Sequence, residues 1–143
     1  MHSSDISTYN FSDYVRLFEV HGGTDTHYLK KHFLRFRNTY LRFASSWKQS
    51  DSQIVVDVGA HWLHQSLIYS LAGFQVEAFN LPTTFRKERV KSLARAYNIK
   101  LTASEDLQSG ECFLSIPESS VDLVLFTEII EHLTFNPVFL WQS

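Results

Sequence analysis

Cysteine is almost absent from this chain, with Cys112 the only one among 143 residues. A single thiol cannot build an intrachain disulfide framework, so Cys112 reads as structural and the chain as one suited to a reducing compartment. An excess of charge is missing too. With a net charge of -2 and a pI of about 6.4, bulk electrostatics gives no strong nucleic-acid signal, and any such role would need a local patch. No apolar run approaches the roughly 20 residues of a membrane span. The opening MHSSDISTYN lacks the basic segment and apolar stretch of a secretion signal. These absences predict a soluble, cytoplasmic protein with no membrane partner. There is no internal repeat and no low-complexity tract. What is plentiful is core-forming material, 44% hydrophobic and 15% aromatic residues, enough for one globular domain.

Composition shifts near SSWKQSDSQ, residues 45–53. Before it, Leu29, Phe33, Phe36, Tyr40, Phe43 and Trp47 recur at spacings of four and three, which predicts one long amphipathic helix with a large apolar face. Its basic residues Lys30, Lys31, Arg35, Arg37 and Arg42 fall mostly elsewhere. Such a helix can lie on RNA or a membrane surface, but an aromatic stripe at this spacing is the ordinary pattern of core packing. Residues 1–50 therefore read as a helical segment and residues 51–143 as a second unit.

In that second unit, residues 54–58, 75–79, 99–103 and 121–126 read as strands whose starts lie just over twenty residues apart. Leu63, Leu67 and Leu71 mark a helix between the first two, closed by Gly73 in a left-handed cap. A second helix opens at Pro82, carries Val90, Leu93, Ala94 and Tyr97 inward, and stops near Asn98. Its outer face is basic (Arg86, Lys87, Arg89, Lys91, Arg95), as solvated faces of sheet-covering helices usually are. The third connection, residues 104–120, is looser. Alternating strands and helices predict an α/β fold with a parallel sheet in order 3-2-1-4 and right-handed crossovers, and ligands of such sheets bind beyond the carboxyl ends of the strands. Here the first strand ends in Asp57, Val58 and Gly59.

A turn of that kind offers backbone N–H groups at a helix N-terminus, and Gly59 lets a ligand approach the main chain. His61 and Leu63 stand where further glycines are expected; a side chain in a left-handed conformation costs about 1 to 2 kcal/mol, which a looser turn avoids. Asn80, about twenty residues on, stands where an acid normally accepts ribose hydroxyls. His61 and His64 lie three apart, but without a third ligand they do not make a metal site. Trp62 reads as packing beside the core strand, with a cover over a ligand as its other possible role.

The stretches VVDVGAHWLHQS, QVEAFNLP and LSIPESSVDLVLFTEIIEHL together resemble, over about residues 54–133, the first half of the Rossmann-like domain of class I S-adenosylmethionine-dependent methyltransferases. Asp57 and Gly59 match the family's acidic-x-Gly-x-Gly signature, which His61 breaks. Pro117, Ser120, Asp122, Val124, Glu131, His132 and Leu133 fall on its fourth-strand element. The resemblance implies S-adenosyl-L-methionine as cofactor. Backbone around Gly59, Ala60 and His61 would face its methionine end and Asn80 the ribose, and Asp57 and Glu128 would join the cofactor-binding set. One of Glu105, Asp106 or Glu111 would face the adenine amine. His132 reads equally as packing and as chemistry, and the catalytic residues and methyl acceptor stay open.

Three functions compete. The first is methyl transfer to an unknown acceptor. The second, a nicotinamide-dependent oxidoreductase, needs three glycines after the strand, of which only Gly59 is present. The third is a non-catalytic methyltransferase-like binding domain in which His61, Leu63 and Asn80 mark an altered site. The chain is further expected to stop after the fourth strand, leaving residues 121–126 as an apolar edge open to self-association unless residues 135–141 cover it.

Overall fold

The computed structural model describes residues 6–23, 26–47, 52–107, 113–127 and 129. At its centre β1 (Ile54–Val58) pairs in parallel with β2 (Gln75–Asn80) on one side and β4 (Leu123–Leu125) on the other, and β2 pairs with β3 (Lys100–Ala103), giving the order β3-β2-β1-β4. This is the expected order. The run of β-branched residues in β1 suits a strand covered on both faces, and Val55, Val56 and Val58 are all buried. β4 is shorter than its apolar run predicts. Asp122 already bonds to the start of β1, its backbone N–H donating to the Ile54 carbonyl and its Oδ2 accepting from the Ile54 N–H at 2.7 Å, so ladder pairing begins only at Leu123. No strand pairs with the far side of β4 among the described residues.

α3 (His64–Leu71) connects β1 to β2, while α4 (Pro82–Phe85) and α5 (Glu88–Ala96) connect β2 to β3. Proline opens α4, where its missing N–H is not needed. The single helix expected from Pro82 onward is two, because Lys87 is extended (φ -68°, ψ 128°) and restarts the chain as the residue preceding α5. Gly73 and Asn98 take left-handed conformations after α3 and α5, the stops anticipated for each. Val90, Leu93 and Ala94 of α5 are buried; on its exposed side Arg95 pairs with Glu88 at 2.5 Å, a contact of little energetic weight in solvent.

The N-terminal part supplies α1 (Phe11–Glu19), capped by Asn10, and α2 (Thr26–Thr39). The helix expected to continue through Trp47 changes form. After α2 the chain makes a π-helical turn, Tyr40–Ala44, and then a 3₁₀ turn, Ser45–Trp47. A π turn holds an extra residue, so the inward position after Tyr40 moves from Phe43, which is 58% exposed, to Ala44, which is 2% exposed. The Trp47 side chain lies outside the description. Leu29, Phe33, Phe36 and Tyr40 do point inward, and they share one continuous core with Tyr14, Val55, Leu67 and Ile68. A second, smaller cluster on the other sheet face joins Val56, Val58, Phe79 and Leu107 to Phe113, Ile116, Val121, Phe126 and Ile129. Among the described residues no helix is long and apolar enough to cross a membrane.

Candidate functional site

Alternation along β1 turns Asp57 toward the same side as Val55, under α3, where it is 2% exposed. Its Oδ2 accepts a hydrogen bond from Ser66 Oγ at 2.6 Å. Burial penalises the charged carboxylate more than the Ser66 bonds favour it, so the carboxyl is pushed up to about 7.

Past Asp57 the chain turns through three left-handed residues, Gly59 (φ 76°), His61 (φ 47°) and Leu63 (φ 68°). The turn does not loosen to suit the two side chains; it keeps the backbone path that glycines would take. The Leu63 side chain is fully buried, and burying a leucine, worth about 1.5–3 kcal/mol, offsets the strain of about 1–2 kcal/mol. His61 is exposed and meets the Trp62 ring edge-on at 4.9 Å. Trp62 packs rather than covers: Lys87 Nζ and the Arg89 guanidinium lie 4.4 and 3.5 Å from its ring centroid.

The amides at the start of the turn are not open donors, since Gly59 N–H and Ala60 N–H both go to the Phe79 carbonyl, at 2.9 and 3.1 Å. What the missing side chain of Gly59 admits is Ile129, whose Cδ1 would lie 2.7 Å from a Cβ at that position. Across the turn, α3 begins with His64. Its carbonyl accepts a hydrogen bond from Tyr14 Oη, and its ring stacks with Tyr28 and meets Phe18 edge-on.

At the end of β2, Asn80 is 8% exposed. Its Oδ1 accepts from the Leu81 N–H at 2.8 Å, while Nδ2 is buried without a hydrogen-bond partner among the described residues. An orphan donor at this depth costs stability unless a ligand or water supplies an acceptor. It is also the reverse of the expected polarity, because the oxygen meant for a hydroxyl is already engaged.

These residues border one cleft of about 650 Å³ along the carboxyl edge of the sheet. Asp57, Gly59, Ala60, His61 and Asn80 all line it, as do Glu105 and Asp106 after β3; Glu111 and Glu128 lie outside the described residues. The structure adds residues the sequence did not single out. Tyr28, His32 and Phe36 reach the cleft from α2, and Gln65 and Thr127 close its floor through a 2.5 Å hydrogen bond from Thr127 Oγ1 to Gln65 Oε1. The signal for the first three was a ring at every fourth position, half hidden by the apolar stripe of the same helix. No lysine or arginine appears among the described lining residues, whereas three carboxyls do. His61 and His64 gain no third partner, and no group of three or more His, Cys, Asp or Glu side chains able to hold a metal occurs among the described residues. Comparison with family models, curated proteins and solved structures gives no match to this chain.

Proposed function

We propose that this chain is part of an S-adenosylmethionine-dependent methyltransferase, with β1 to β4 forming the first half of a class I Rossmann-like domain. The observation that carries the reading is the composition of the cleft: among the described residues, carboxyls and no lysine or arginine line the switch between β1 and β4. Such a lining suits a ligand that is cationic or neutral at its core and opposes the pyrophosphate of a nicotinamide dinucleotide, which calls for cationic or open amide partners. When bound, the cofactor supplies an electrophilic methyl group on a positively charged sulfur. The chain positions and desolvates, as this chemistry chiefly requires. Asn80 Nδ2 donates to a ribose oxygen, Glu105 or Asp106 accepts from the adenine amine, and the turn at 59–61 with Asp57 behind it lies beside the sulfonium end. No general base is assigned.

The test is calorimetry with S-adenosylmethionine and S-adenosylhomocysteine on the wild type and Asn80→Asp. Aspartate keeps an acceptor for the Leu81 N–H and places a second acceptor where Nδ2 stood, so its charge-assisted bond to a ribose hydroxyl should tighten binding by about 1–1.5 kcal/mol, roughly tenfold. Absence of heat with either ligand at millimolar concentration, in both proteins, favours the second reading, a non-catalytic methyltransferase-like domain. One observation speaks for that alternative: Ile129 already occupies the space above Gly59.

A further inference from the structure

We propose that the flank of the cleft built by α2 is a docking wall for a planar, uncharged aromatic molecule, and that this molecule is the methyl acceptor; the second half of the proposal rests on the cofactor reading above. Tyr28, His32 and Phe36 are spaced four residues apart and so lie on one side of the helix. Their rings form a continuous series with His64: Tyr28 stacks on His64 at 5.7 Å and 21°, meets His32 at 4.3 Å, and His32 meets Phe36 at 6.1 Å. The buried stripe of the same helix is Leu29, Phe33 and Phe36. Tyr28 and His32 are not part of it; they are half-buried and border the cleft.

A series of rings at the wall of a cavity favours a flat partner, because offset or edge-on aromatic contact adds attraction beyond the area covered. The charge pattern narrows the class. Glu105 and Asp106 line the cleft, and no lysine or arginine occurs among its described lining residues, which disfavours carboxylate or phosphate acceptors. Arg35, on the same helix, is held at His32 Nδ1 at 2.7 Å and over the Phe36 ring. A guanidinium only donates, so Nδ1 accepts and the imidazole hydrogen sits on Nε2, giving the wall a polar donor as well. In the transfer itself an oxygen or nitrogen of the acceptor gives the electron pair for the new bond to the methyl carbon. The carbon–sulfur pair goes to sulfur, and a hydroxyl or amine acceptor releases its proton to water.

The experiment measures binding of quinoline, benzoate and cyclohexanol to the full-length protein at neutral pH, with and without saturating S-adenosylhomocysteine. Tyr28→Leu and His32→Leu, which keep bulk but remove the planar face, are compared with wild type after their thermal unfolding has been shown to be native-like. Quinoline is expected to bind, benzoate to bind at least about tenfold more weakly, and each leucine variant to lose about fivefold or more of quinoline affinity while S-adenosylhomocysteine binding stays unchanged. Failure of quinoline to bind, equal binding by the leucine variants, or preference for benzoate or cyclohexanol overturns the wall. If S-adenosylhomocysteine gives no heat while quinoline binds in a leucine-sensitive way, the cofactor reading falls and the aromatic site stands; heat with the cofactor product but none with quinoline has the opposite meaning.

Discussion

Replacing Asp57 with asparagine tests the physical description of the site directly. In the unfolded chain this carboxyl titrates near 3.8; in the fold, burial pushes it up to about 7 against the opposing bonds from Ser66. A raised carboxyl means that between those two pH values the folded state holds a proton that the unfolded state has lost. Stability is then greatest at low pH and falls as pH rises through the folded value. A displacement of about three pH units at about 1.4 kcal/mol each gives up to about 4 kcal/mol, a large part of the 5–15 kcal/mol that holds a typical domain together. Asparagine retains an oxygen for the Ser66 hydroxyl and carries no charge. Urea unfolding of both proteins across the range should show them close at about pH 4 and the variant more stable by about 2–4 kcal/mol above about pH 8. Groups not coupled to Asp57 cancel in the difference, and the coupled Tyr14 and Tyr69, both raised, titrate above this range. A flat difference curve, or a wild type that gains on the variant as pH rises, would mean that Asp57 is stabilised as an anion and that its surroundings have been misjudged.

The turn and the core give two more expectations. His61→Gly should change stability by no more than about 1 kcal/mol, on the favourable side, since relief of left-handed strain slightly exceeds the entropy that glycine adds to the unfolded chain. Leu63→Gly should lose about 2–4 kcal/mol because the same relief comes with loss of a fully buried side chain; equal shifts in thermal melts would show that burial does not separate the two positions. Phe33→Ala should cost about 3–5 kcal/mol, with helices and sheet melting in one transition because they share a core, whereas Phe43→Ala should stay within about 0.5 kcal/mol. A separate early transition for the N-terminal helices in Phe33→Ala would refute the shared core.

Local pattern was enough for the order of elements. A β-branched run at 54–58, the short strand-like segment at 75–79, glycine and asparagine after the helices, and the spacing of just over twenty residues dictated parallel strands in the order observed, because a short right-handed crossover leaves few other arrangements. Asp57, Gly59 and Asn80 were found in the same way, as the ends of those strands. Local pattern also erred at particular places. Nothing in YLRFA announces a π turn, which depends on how Tyr40 and Ala44 pack against the rest of the core, so Phe43 was placed inward when it is exposed. The polarity of Asn80 was set by the path of Leu81, whose N–H takes the amide oxygen.

The hidden part of the site has a common physical cause. Tyr28, His32 and Phe36 border the cleft only because α1 and α2 pack over α3, a contact between segments distant in sequence. Periodicity tells which side of a helix is apolar, but not which neighbour a flank of it will face. Likewise His61 and Leu63 keep glycine-like backbone angles because the surrounding fold fixes the turn and, for Leu63, because the core absorbs the side chain. The sequence by itself determined the strands, their order and the edge where a ligand would lie; tertiary packing decided the walls of the cleft, the burial that pushes the Asp57 carboxyl up to about 7, and the side chain that fills the space above Gly59.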